Sequence, residues 1–142
     1  MFDLRLLSRA LPLSAFGELS IGAHRENFSA DLSVWDEDDY LASWLRSAAH
    51  IVEHGQGRFL VSVGETGVYE TWVAQARGAN VRLYKSIMRS TATERFASPA
   101  DAETPEADDA AAEEVSPSTN YYRCNLVDIA AFEARLRGEM VN

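Results

Sequence analysis

Between Trp35 and Gly55, apolar residues at Tyr40, Leu41, Trp44, Leu45, Ala48, Ile51 and Val52 recur at steps of three and four. At about 100° per residue this spacing gathers them within one arc of roughly 140°, which predicts an amphipathic helix. Asp36 can accept a backbone N–H as N-cap, Glu37, Asp38 and Asp39 fall in the first turn where the helix dipole favours negative charge, and Gly55 supplies a left-handed stop. The predicted helix is therefore Glu37 to His54. A seam carrying Tyr40 and Trp44, with Trp35 just ahead of it, needs a broad apolar partner.

The flanking segments alternate, and alternation predicts strands that supply that partner. Glu18 to Ile21 is a short one. In Arg25 to Trp35, Glu26, Phe28, Ala30, Leu32 and Val34 share one face, while Asn27, Ser29, Asp31 and Ser33 share the other. After the helix come Arg58 to Val63, with Phe59, Val61 and Val63 facing one way and Leu60 partly covered on the other, then Val68 to Ala76 and Val81 to Met88. Turns at Gly64 to Gly67 and at Arg77 to Asn80 join these three into a meander. Tyr122, Cys124 and Leu126 predict a last strand. Asp128 as N-cap, with a stripe of Ile129, Phe132, Leu136 and Met140, predicts a second helix. The fold class expected is α+β: an antiparallel sheet of about five or six strands, the long helix across one face and the C-terminal helix beside it. Residues 1–15 are expected to stand outside this domain, as a short amphipathic helix over Phe2 to Ala10 or a loosely held extension.

Composition changes the picture in one place. From Ala97 to Ser118 the chain is rich in Ala, Asp, Glu, Pro and Ser, with too few large apolar residues to offset its ordering entropy, and it is expected to be a disordered insert within a single domain spanning 16–142. That stretch carries seven acids and no Lys or Arg. The net charge of −9 thus resides largely there, since removing it leaves 15 acids against 13 bases. The charge total disfavours nucleic acid and the remainder offers no basic stripe along the sequence. At 142 residues the chain can bury a core without staples, and its one cysteine, Cys124, forms no intramolecular disulfide and suits a reducing cytoplasm. No apolar run is long enough to span a bilayer, and Asp3, Arg5 and Arg9 break any secretory signal at the N-terminus.

The sharpest chemical motif is His50-Ile-Val-Glu-His54, an H-x-x-E-H pattern that can hold zinc between two histidines one helical turn apart, with Glu53 as proton acceptor. On the helical wheel both histidines lie opposite the apolar arc, which predicts surface positions near the helix C-terminus rather than ligands. Cys124 alternates with strand residues as a small buried thiol does, and His24, in a turn-like segment, is expected at the surface. No nucleophile elbow, P-loop or dinucleotide fingerprint is present, so no catalytic residue, metal or cofactor is assigned. What remains is a partner surface: Trp35, Asp36, Glu37, Asp38 and Asp39 cluster exposed charge beside a large aromatic. Tyr84 is a further aromatic of unassigned sidedness.

Taken together, FGELSIGAHRENF with Arg25-Glu26, the helix with Trp35, Tyr40 and Trp44, RFLVSV, ETWVAQARGANVRLY with Trp72, and the closing CNLVDIAAFEARL resemble the small immunity proteins of bacterial contact-dependent growth inhibition systems. The resemblance runs from Phe16 to Leu136 and rests on packing residues in a matching order. It implies a cytoplasmic, non-enzymatic protein that binds and blocks the toxic C-terminal domain of its own strain's surface effector. Such toxins are often nucleases and frequently basic. The alternatives are a regulatory or chaperone-like interaction module of the same fold and, third, a small zinc hydrolase built on His50 and His54. The sequence leaves the oligomeric state open.

Overall fold

The structure is a computed structural model that describes residues 1–64, 67–90, 112–117 and 120–141. The chain opens with three antiparallel strands, β1 (Phe2–Leu11), β2 (Ser14–Ile21) and β3 (His24–Asp31), forming a sheet in the order β1-β2-β3. Helix α1 (Glu37–His54) follows, and then β4 (Gln56–Val63), β5 (Val68–Arg77), β6 (Asn80–Ser90), β7 (Ala112–Pro117) and β8 (Tyr122–Asn125) build a second sheet. Its order is β4-β5-β6-β7, and β8 also pairs with β6. The outer edge of β6 is therefore shared: Asn80–Leu83 pair with β8 and Ser86–Ser90 with β7. Helix α2 (Leu126–Val141) closes the chain beside α1.

The fold class is α+β as expected, but the described residues hold eight strands in two sheets rather than five or six in one. The two added strands are β1 at the N-terminus and β7. Residues 2–11 are strand and not helix or loose extension, paired with β2 from Phe2↔Ile21 to Leu11↔Ser14. Phe2, Leu4 and Leu19 are buried, and the Phe2 ring stacks on Phe59 of β4 at 5.0 Å and meets Phe132 of α2 edge-on at 5.1 Å. Across the strand Arg135 of α2 binds Asp3 at 2.7 Å and the Leu4 carbonyl at 3.0 Å. The insert expected at 97–118 lies outside the described residues except for 112–117, which are strand β7.

Helix α1 has the predicted bounds, and its ends are built as anticipated. Asp36 Oδ1 accepts from the Asp39 N–H at 2.8 Å while Asp39 Oδ2 accepts from the Asp36 N–H at 3.0 Å, a reciprocal capping box. Gly55 stops the helix at φ 80°, a conformation that a side chain would strain. Its inner face anchors β4. That strand bulges between Leu60 and Ser62, and at the bulge the Leu60 carbonyl accepts the Trp44 indole N–H at 2.8 Å. The Tyr40 hydroxyl donates to the Asp31 carbonyl at 2.5 Å and accepts from the Val63 N–H at 2.9 Å, so one side chain ties α1, β3 and β4 together. Burial raises that hydroxyl's pKa well above the ordinary tyrosine value, with the Asp31 carboxylate acting in the same direction and the Val63 bond opposing both. Bonds from α1 thus occupy polar groups that β4 would otherwise present as an open edge.

Three local expectations are corrected. The β3 strand ends at Asp31, four residues early, where the Asp31 N–H bonds Ser62 Oγ of the neighbouring sheet at 3.1 Å and Asp31 Oδ1 accepts from the Ser33 N–H at 2.8 Å to turn the chain. Leu126 is the first residue of α2 rather than the last of β8, which moves Asp128 to the third helical position. From there its carboxylate accepts from the Asn125 N–H at 2.9 Å and pairs with the Met1 ammonium at 3.2 Å; the backbone bond first, then the ammonium, holds its pKa below the usual carboxylate range. Ile129, Phe132 and Leu136 of the α2 stripe are buried, whereas Met140 is exposed.

Candidate partner-binding surface

The predicted contact residues part into two groups. Trp35 follows the Asp31–Val34 bend and points inward, fully buried, with its ring edge-on to Tyr40 at 5.1 Å. The expectation of an exposed aromatic there is corrected: the loop's turn carries the indole under the helix, where it fixes the first turn from below. Asp36 and Asp38 are exposed, and Glu37 and Asp39 are half-buried. Asp36 and Asp39 have oxygens engaged in the capping box, so Asp38 stands out as the exposed acid of the cluster with no such role.

A neighbouring turn adds what the cluster lacks. The Leu32 N–H donates to the Leu13 carbonyl at 2.8 Å, which holds the β1–β2 turn against the segment leading into α1. Leu13 is 61% exposed and Phe16, on the outer side of β2, is 49% exposed. Negative charge at the start of α1 and apolar side chains on the adjoining hairpin thus share one end of the molecule. An apolar centre with a charged border is the composition of a protein interface. The hairpin was not legible as part of this surface, because the contact between Leu13 and Leu32 follows from tertiary packing.

At the other end of α1 the two histidines of the H-x-x-E-H motif lie side by side, ring centroids 4.3 Å apart. His50 Nδ1 lies 2.9 Å from the Gln56 carbonyl, an arrangement in which it donates, and His54 is 3.8 Å from Glu53. Among the described residues no group of three or more His, Cys, Asp or Glu side chains comes together to hold a metal ion. Cys124 is buried on the core face of β8, and burial pushes its thiol up to about 12, leaving it protonated near neutrality.

His24 is not the surface residue expected. Its ring stacks on Tyr122 at 3.8 Å, and its Nε2 lies 2.9 Å from Glu26, whose other oxygen pairs with Lys85 of β6 at 2.8 Å. Burial alone would raise the Glu26 carboxyl, but the hydrogen bonds and charges of Lys85 and His24 outweigh it and hold it below its ordinary value. This cluster fastens β3 to the second sheet. Tyr84 is half-buried and edge-on to Tyr121 at 5.5 Å.

No helix among the described residues is long and apolar enough to cross a membrane. No protein-family model matches the chain, and no curated protein matches it in sequence. A solved structure does match: a chain described as part of the "CdiA-CT/CdiI toxin and immunity complex from Enterobacter cloacae" superposes with a TM-score of 0.69 at 22% sequence identity, over 97% of this chain and 99% of that one. This chain therefore has the fold of a component of a toxin–immunity complex from a contact-dependent growth inhibition system.

Proposed function

We propose that this protein is an immunity protein: it binds the toxic C-terminal domain of a contact-dependent growth inhibition effector and blocks it by stoichiometric occlusion, without turnover. The observation that carries this reading is the shared fold over nearly the whole of both chains, joined to a surface at the start of α1 that has the makings of a protein interface. The carboxylates of Asp36, Glu37, Asp38 and Asp39 would meet basic groups on the toxin, and Leu13 would supply the apolar contact. A nuclease domain, basic because it grips phosphates, is the kind of partner such a surface suits. Trp35 contributes from beneath, by fixing the first turn of α1.

The test is binding to the toxin domain encoded beside this gene. Asp38→Lys leaves the capping box intact and reverses an exposed charge. It should slow association and weaken affinity by about tenfold, with the loss shrinking as salt rises. Leu13→Ser should weaken binding through faster dissociation. Unchanged affinity in both variants would remove this surface from the interface. Absence of binding by the wild-type chain would remove the immunity reading itself.

A further inference from the structure

On the outer face of the second sheet, away from the core, the strand register sets Gln75 of β5, Arg82 of β6 and Arg123 of β8 in one cross-strand row. Arg77 and Asn80 flank the β5–β6 turn at the end of that row. Together they line a groove of about 300 Å³.

Two features mark this groove as more than a solvated patch. Arg82 and Arg123 are direct cross-strand partners, and like charges in that position destabilise a sheet. No carboxylate among the described residues pairs with Arg77, Arg82 or Arg123. Asp128, the next acid along the chain from Arg123, is taken up by the Met1 ammonium and the Asn125 N–H. Among the described acids, none neutralises these three guanidinium groups.

The groove is also held in shape. Gly78, at φ 61°, opens a two-residue turn with Ala79, and the Ala79 carbonyl accepts from the Leu126 N–H at 2.7 Å, which pins the turn to the start of α2. Arg82 donates to Gln75 Oε1 at 2.9 Å, and its guanidinium lies 4.5 Å from the centre of the half-exposed Tyr121 ring. Its orientation is thus set before any ligand arrives, which lowers the entropy cost of a bidentate contact.

We infer that this groove docks a short carboxylate-rich segment of a partner protein, gripping it between Arg77, Arg82 and Arg123. Charge complementarity selects an acidic occupant, and the long-range field selects a short one. A polyanion such as nucleic acid is repelled by a chain of net charge −9, whereas a few carboxylates respond to the local arginines. The groove lies at the Gly55 end of α1, where Gly55 accepts from the Ala76 N–H. The acidic cluster lies at the other end of this 18-residue helix, roughly 27 Å away and beyond the screening distance, so the groove serves a partner surface independent of the one at the start of α1.

Fluorescence anisotropy of the full chain with a labelled peptide of alternating glutamate and glycine tests this. A lysine–glycine peptide and an oligothymidylate of equal charge serve as comparisons. The glutamate peptide should bind with an affinity that falls as salt rises, the other two should not, and the double variant Arg77→Glu, Arg123→Glu should weaken binding about tenfold or more. Arg123→Glu alone should raise the thermal midpoint, because it sets opposite charges across from each other. Undiminished peptide binding by the double variant overturns the proposal, as does failure of the wild type to bind. Oligothymidylate binding lost in the same variant would make this a nucleic-acid surface instead. A lowered midpoint in Arg123→Glu would remove the argument from the arginine pair.

Discussion

Tyr40→Phe isolates the bond on which the junction of α1, β3 and β4 depends. The substitution keeps the ring in its buried place and removes only the hydroxyl, which donates to Asp31 and accepts from Val63. The Val63 N–H is buried and left without that acceptor, a loss of about 1–3 kcal/mol. The Asp31 carbonyl is at a half-buried position and loses a good donor, adding about 1 kcal/mol. The total of about 2–4 kcal/mol corresponds to a fall in thermal midpoint of roughly 5–15 °C for a chain of this length. Urea denaturation followed by far-ultraviolet circular dichroism measures it, and an unchanged m-value would show that the native fold persists. The hydroxyl adds a pH signature. Its pKa is raised in the folded state, so its contribution is full below the unfolded value of about 10 and declines as pH rises beyond that. The gap between wild type and Tyr40→Phe should therefore narrow above about pH 10. A destabilisation below about 0.5 kcal/mol, or a gap indifferent to pH, would refute the junction's dependence on this hydroxyl.

Phe2→Ala tests the N-terminal strand. It empties a site packed by Phe59 and Phe132, and should cost about 3–5 kcal/mol in denaturant titration; a loss within about 0.5 kcal/mol would show that residues 2–11 are not integral to the fold. Gly17→Ala tests close approach between strands. A β-carbon there would sit 2.2 Å from the Phe28 ring, so the variant should lose about 1–3 kcal/mol, and Phe28→Leu in the same chain should recover part of it. No recovery would mean that the ring is not the obstacle.

The sequence was most informative where one signal ran uninterrupted. Helix α1 was legible to the residue because seam, cap and stop agree, and the β4–β5–β6 meander because its turns carry glycine. Strand β1 was not. Phe2, Leu4 and Leu6 alternate, but the bulge between Leu6 and Ser8 adds Leu7 and breaks the period just where a helix reading gains support. Trp35 closes the alternating segment expected over Arg25 to Trp35, but the strand ends at Asp31, so that alternation does not set the side it faces. The acidic cluster was visible because its members are consecutive. The arginine groove was not, because Arg82 and Arg123 become neighbours only through the β6–β8 register, with β7 intervening in the chain.

The shared edge of β6 bears on how this chain can be altered. Ser90 and Ala112 are cross-strand partners, so the two ends of the segment that joins them form a doorway one strand spacing wide. Whatever is threaded through that doorway need only close a loop, and halving or doubling its length changes the closure entropy by about 0.6 kcal/mol. A replacement for residues 91–111 therefore meets one geometric condition, that its ends come within a strand spacing of each other at Ser90 and Ala112.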